Sequence, residues 1–169
     1  MTQLDLTGPF EVLSRMPGAT VDLVARTMDP VVSDRGLVLT PSATFADCPM
    51  PGILFVPGGP GQVEAMEDDA LIDFLQRAAA GADLVTSVCT GSLLLGGAGL
   101  LRGKRATTHW ISLDDLEALG ATPVNERVVE DGNVITAAGV SAGIDFALTV
   151  AARLHGEDVA KKIQLFIEY

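Results

Sequence analysis

Two short apolar runs constrain this chain most: Ile53-Leu54-Phe55-Val56 stops at Pro57-Gly58-Gly59-Pro60-Gly61, and Leu84-Val85-Thr86-Ser87-Val88 stops at Cys89-Thr90-Gly91. Such runs, short and bounded by turn residues, read as strands covered on both faces. Covered strands need helices above and below, and the sequence supplies them. Asp68 or Asp69 can cap ALIDFLQRAAA, with Gly81 placed as its C-cap. Thr7-Gly8-Pro9 predicts another helix start with Pro9 in the first position, and Ser112 with Asp115 has capping-box spacing before LDDLEAL, closed by Gly120. TGSLLLGGAGLL reads as a helix of small residues. Ile144, Ala147, Leu148, Ala151 and Leu154 share one helical stripe, and Val159, Ile163, Phe166 and Ile167 share a second.

Val21, Leu23 and Ala25 alternate with polar residues, as a strand does. VVSD and LVLT flank Arg35-Gly36 as a hairpin, and Val128-Val129 with Val134-Ile135-Thr136 form another around Asp131-Gly132. Strands alternating with helices predict an α/β fold with a mostly parallel central sheet. Without repeats or a linker, residues 1–169 read as a single domain.

The 22 acidic and 11 basic residues leave a formal charge of −11, a surface that repels phosphate backbones and argues against nucleic acid as a partner. No apolar run approaches the ~20 residues that span a bilayer, and MTQLDLTGPF lacks the pattern of a signal peptide. The expectation is a cytoplasmic protein with no membrane partner. Cys48 and Cys89 are the two cysteines and neither lies in a CxxC pair, so no metal site and no disulfide framework is expected.

Cys89 has small residues two positions before and after it, Ser87 and Gly91, the spacing of a nucleophile elbow between strand and helix. A helix N-terminus immediately after a thiol favours its thiolate, so Cys89 is expected to be more acidic than Cys48. The competing reading is a buried core cysteine. The amides of Gly59 and Thr90 are suited to stabilising charge beside the reacting atom. Asp5, between Leu4 and Leu6, and His109, beside Trp110, are the candidates for a general acid or base, although an aspartate there is more often a cap and a lone histidine more often structural. His155, near a helix C-terminus, reads as structural, and Cys48, in FADCP, as packing.

With LDLTGPFEVL, LVLTPSATFADCP, ILFVPGGPG, VTSVCTGSLLLGGAGLLRGKRATTHW, ERVVEDGNVITAAGVSAGIDFALTVAA and IQLFIEY in view, the chain resembles the ThiJ/PfpI superfamily of class I glutamine amidotransferase-like folds. The elbow and SAGID segments belong to the whole superfamily. CTGS, LDLTGP and FADCP tilt the resemblance toward its isocyanide (isonitrile) hydratases. The resemblance implies a flavodoxin-like three-layer sandwich, a homodimer with the site near the interface, no cofactor, and a small-molecule substrate. It carries the nucleophile onto Cys89 and the acid/base role onto Asp5, sets the Gly59 and Thr90 amides beside the reacting centre, and leaves His109 and Trp110 as pocket residues. Members with a Cys-His pair have histidine directly after the nucleophile, where this chain has Thr90. It also implies a further strand before LDLTGP and an extension beyond Tyr169 that this sequence lacks. The expected activity is hydration of isocyanides to N-substituted formamides. Two alternatives stay open: a ligand-binding regulatory domain of an AraC-type transcriptional regulator, and a glyoxalase-like or stress-response member of the same superfamily.

Overall fold

All five residues from Leu84 to Val88 are buried, as a strand covered on both faces must be. They lie at the centre of a computed structural model that describes residues 1–169. The chain begins in helix α1 (Gln3–Leu13) and passes through four two-residue strands, β1 (Val24–Ala25), β2 (Val31–Val32), β3 (Val38–Leu39) and β4 (Ala43–Thr44). The two apolar runs follow as β5 (Ile53–Val56) and β6 (Leu84–Val88), with α2 (Gln62–Met66) and α3 (Asp69–Gly81) between them. Then come α4 (Gly91–Gly97), β7 (Arg105–Ala106), α5 (Leu113–Ala118), β8 (Thr122–Pro123), β9 (Val128–Asp131), β10 (Val134–Ala137), α6 (Ala142–His155) and α7 (Glu157–Phe166).

The main sheet has the order β5-β6-β10-β9. β6 runs parallel to both neighbours, pairing Leu84 with Ile53 and Val88 with Ala137, while β9 closes the sheet as the antiparallel arm of the Asp131-Gly132 hairpin. Alternate side chains then serve two cores. Val12, Phe146, Val150 and Ile163 from α1, α6 and α7 cover Leu84, Val88 and Ile135 on one face. Phe74, Leu75, Leu95 and Leu116 from α3, α4 and α5 cover Leu54, Val85 and Val134 on the other. The result is an α/β/α sandwich. The Arg35-Gly36 hairpin is present as β2 and β3, with Val32 opposite Val38.

Several local expectations are corrected. Thr7-Gly8-Pro9 does not start a helix: α1 begins at Gln3 and holds Pro9 inside. Proline there forfeits one ladder hydrogen bond, but it forms part of a flat face against α6. A Cβ on Gly143 would come within 2.9 Å of Pro9 Cδ, and one on Gly8 within 3.2 Å of Ile144 Cγ1. Gly81 ends α3 without capping it, and Ala82 takes the cap position in extended conformation. Ser112 makes no side-chain cap bond, because the turn Trp110–Ser112 precedes α5 and the ring of His109 accepts from the Ile111 amide instead. On α6 the buried arc runs through Phe146, Ala147, Val150 and Ala151, which leaves Leu154 exposed. On α7, Ile163 is buried and Phe166 lies 69% exposed. The predicted TGSLLLGGAGLL helix is cut short at Gly97, ahead of Gly99 with φ 78°. Asp68 does cap α3, accepting from the Leu71 amide at 3.1 Å.

The outer edge of β5 has no strand partner, because β1 and β4 pair only with each other. Between β1 and β5 lies an apolar cavity of about 650 Å³, walled by Leu13 and Met16 on one side and Leu71 and Phe74 on the other. No helix is long and apolar enough to cross a membrane.

Candidate active site

β6 ends at Val88, and the chain turns into α4 within three residues. That turn is possible because Cys89 takes φ 56°, the left-handed region that costs a non-glycine residue roughly 1–2 kcal/mol. Its amide donates to the carbonyls of Ala137 (3.0 Å) and Ala138 (2.9 Å), and its carbonyl accepts from the Thr108 hydroxyl at 2.8 Å. Strain held by buried hydrogen bonds is the condition of a nucleophile elbow. Gly91 is small for a different reason from the one the elbow spacing suggests: a Cβ there would strike the Val56 carbonyl of the neighbouring strand. Gly58 is equally confined, since its Cβ would lie 2.5 Å from the Thr90 nitrogen.

Asp5, on α1, reaches this elbow from the opposite layer. Its side chain is fully buried, and neither carboxyl oxygen completes a hydrogen bond. Burial raises it above the ordinary carboxylate range, and the adjacent Cys89 thiol and Gly58 backbone, together with His109, offset this only in part. Cys89 is itself pushed up to about 11, first by burial and then by the Asp5 charge, against the opposing pull of the Thr90 and Val140 amides. The helix N-terminus after Cys89 therefore does not make this thiol acidic, contrary to the expectation from its position. Burial raises Cys48 as well, assisted by Asp22.

The structure brings Asp5, Cys89 and the Thr90 amide together. The Gly59 N–H donates to Thr90 Oγ1 at 2.9 Å, and the Thr90 hydroxyl donates to the Gly59 carbonyl at 3.2 Å, so Gly59 already has a partner and holds Thr90 in place. His109 is half-buried against Gly139 and close enough to influence Asp5. Trp110 stands 70% exposed beside the His109 ring, with centroids 5.7 Å apart. Sequence reasoning missed Gly58, Thr108 and Val140. The TTHW segment and the hairpin exit are visible in the sequence, but nothing local announces that they converge on residue 89. No group of three or more His, Cys, Asp or Glu is arranged to hold a metal ion.

A buried thiol on a strained turn beside an isolated carboxyl can form a covalent adduct and move one proton. The DJ-1/PfpI family pattern matches residues 1–153. The chain is 56% identical over 167 residues to the isonitrile hydratase of Pseudomonas putida, covering 99% of this chain and 73% of that protein. It is 32% identical over 136 residues to an HTH-type transcriptional regulator of Pseudomonas aeruginosa, covering 79% of this chain and 40% of the regulator. A ThiJ/PfpI family protein from Pseudomonas syringae, known from its crystal structure, superposes with a TM-score of 0.98 at 46% identity, over all of this chain and 71% of its own.

Proposed function

This chain belongs to the DJ-1/PfpI family, and within that family we propose that it hydrates isocyanides to N-substituted formamides. The observation that carries the reading is the 56% identity to an isonitrile hydratase over nearly the whole chain. The Cys89–Asp5 pair supplies a mechanism. Asp5 takes the thiol proton, and the thiolate sulfur bonds to the terminal carbon of R–N≡C. Asp5 returns the proton to that carbon, leaving the thioimidate Cys–S–CH=N–R. Water then adds across C=N, its oxygen to carbon and a proton to nitrogen. Collapse of the tetrahedral adduct breaks the C–S bond, releases R–NH–CHO and restores the thiol. The atoms balance as isocyanide plus water, with no redox partner and no cofactor required. In this reading the Thr90 and Val140 amides stabilise the sulfur anion, Gly59 holds Thr90, and His109 and Trp110 border the approach.

Incubation with an aryl isocyanide is expected to give the formamide, with oxygen from labelled water in its carbonyl, and rapid quench with intact-mass analysis should catch an adduct of one substrate mass on the Cys89 peptide. A well-folded protein yielding neither product nor adduct would favour the second reading, a regulatory ligand-binding domain. That reading is supported by the 32% identity to the Pseudomonas aeruginosa regulator.

Two further features belong to this proposal. The cavity beside β5 has the lining for another apolar strand, which supports an incomplete sheet in the single domain read from residues 1–169. Leu4 and Phe10 on α1 and Leu165 and Phe166 on α7 are exposed, and Arg15, just beyond the end of α1, sits 4.4 Å above the Phe166 ring. This adjoining apolar surface supports a homodimer, for which light scattering at micromolar concentration should report twice the chain mass; a stable monomer would remove it.

A further inference from the structure

The peptide bond between Cys89 and Thr90 carries two groups that matter in opposite directions. Its N–H, from Thr90, lies beside the Cys89 thiol and pulls it down, against burial and the Asp5 charge. Its C=O, from Cys89, points away and accepts from the Thr108 hydroxyl at 2.8 Å. A peptide is planar, so fixing the carbonyl fixes the direction of the N–H. The Ser92 amide also reaches this carbonyl, but at 3.3 Å, so the Thr108 hydroxyl is its shorter partner.

Thr108 is 1% exposed, and its neighbourhood is tied down from two sides. The Thr107 amide donates to Thr136 Oγ1 on β10 at 2.8 Å, and the Thr107 carbonyl accepts from Ser92 Oγ on α4 at 2.7 Å. Ser92 Oγ in turn shares a hydrogen bond with Ser87 Oγ on β6. These bonds leave Thr108 little freedom to follow the elbow if the elbow shifts.

We propose that Thr108 is a positioning residue: by gripping the Cys89 carbonyl it orients the Thr90 amide toward the sulfur, and so sets the reactivity of the nucleophile. The inference concerns the thiol itself and does not depend on which substrate the site takes.

The test uses Thr108→Val, which keeps the shape and loses the hydroxyl, and Thr108→Ser, which restores it, both in a Cys48→Ala background. Iodoacetamide alkylation of Cys89 is followed by mass spectrometry at several pH values below 10. Thr108→Val is expected to slow alkylation about 3- to 10-fold at each pH, the size of effect that weakening one amide's pull on a thiolate gives, and Thr108→Ser to recover most of the rate. The control is Thr86→Val. Thr86 also is fully buried and also donates its hydroxyl to a backbone carbonyl, that of Leu54 at 2.8 Å, but it does not touch the elbow. It should lower the unfolding temperature as Thr108→Val does while leaving Cys89 alkylation unchanged. With isocyanide as substrate, Thr108→Val should lower kcat and leave KM unaltered. Alkylation unchanged in Thr108→Val, or slowed equally in Thr86→Val, would overturn the proposal. If Thr108→Val does not fold, Thr108→Ser must still alkylate at near the parent rate, and a rate as low as one-tenth of it would overturn the proposal too.

Discussion

Cys89→Ala should lose formamide production by about 10⁴-fold or more, because a missing nucleophile leaves only binding and amide polarisation. The variant should remain folded, since the backbone bonds from residue 89 to Ala137, Ala138 and Thr108 do not involve sulfur. Cys89→Gly separates strain from chemistry. It should be equally inactive but unfold later than Cys89→Ala, by roughly 1 kcal/mol, because glycine enters the φ 56° conformation at little steric cost. Thermal unfolding of the two variants, with product assayed by chromatography, checks both statements. Residual turnover within tenfold of the parent would move the nucleophile away from Cys89.

Asp5→Asn should act in two opposite directions. Turnover should fall by about 10²–10⁴-fold, because an amide can neither accept the thiol proton nor deliver it to carbon. Alkylation of Cys89 should become faster, because the Asp5 charge is one of the causes holding that thiol near 11. Stability should rise at neutral pH. A carboxyl raised by burial folds at no electrostatic cost below its unfolded pKa and loses stability as pH climbs through its raised folded value. The advantage of the asparagine variant therefore opens between the ordinary carboxylate range and the raised one, and closes again in acid. Denaturant melts across that window measure it. A variant that turned over normally would shift the acid role to His109.

Much of the fold is legible in the sequence. The strands can be read because an all-apolar run between turn residues has few alternatives, and both hairpins because Arg35-Gly36 and Asp131-Gly132 put glycine where φ is positive, 89° and 64°. The elbow is visible in the spacing of Ser87, Cys89 and Gly91, and the family resemblance supplies Asp5. Other features depend on contacts that sequence distance hides. Pro9 lies mid-helix because α6 packs against it. Val140 and Thr108 reach the elbow from well beyond its own strand and helix. The acidity of Cys89 cannot be signed from its own helix, since the deciding influences are burial and a carboxyl on another element. The α6 stripe is displaced: hydrophobicity marks Leu154 as inward, while the buried arc runs through Phe146, Ala147, Val150 and Ala151.

The strands before β5 stand apart from the main sheet. The strands β1 to β4 are two residues long and pair only among themselves, whereas β6 is hydrogen-bonded on both sides and buried throughout. Residues 19–50 therefore join the rest of the molecule without adding a strand to the main sheet. Asp5 and Cys89 are anchored to different parts of the chain. Cys89 grows from the firm centre. The start of the chain and of α1, ahead of Asp5, is tied to residues 33 and 34 through Ser33 Oγ to Gln3 Oε1 at 2.8 Å and the Asp34 amide to the Met1 carbonyl at 2.9 Å, and to the glycine loop through the Thr2 amide to the Gly58 carbonyl at 3.0 Å. Asp5 and Cys89 are therefore positioned through separate sets of bonds, one running to Ser33 and Asp34, the other to Ala137, Ala138 and Thr108.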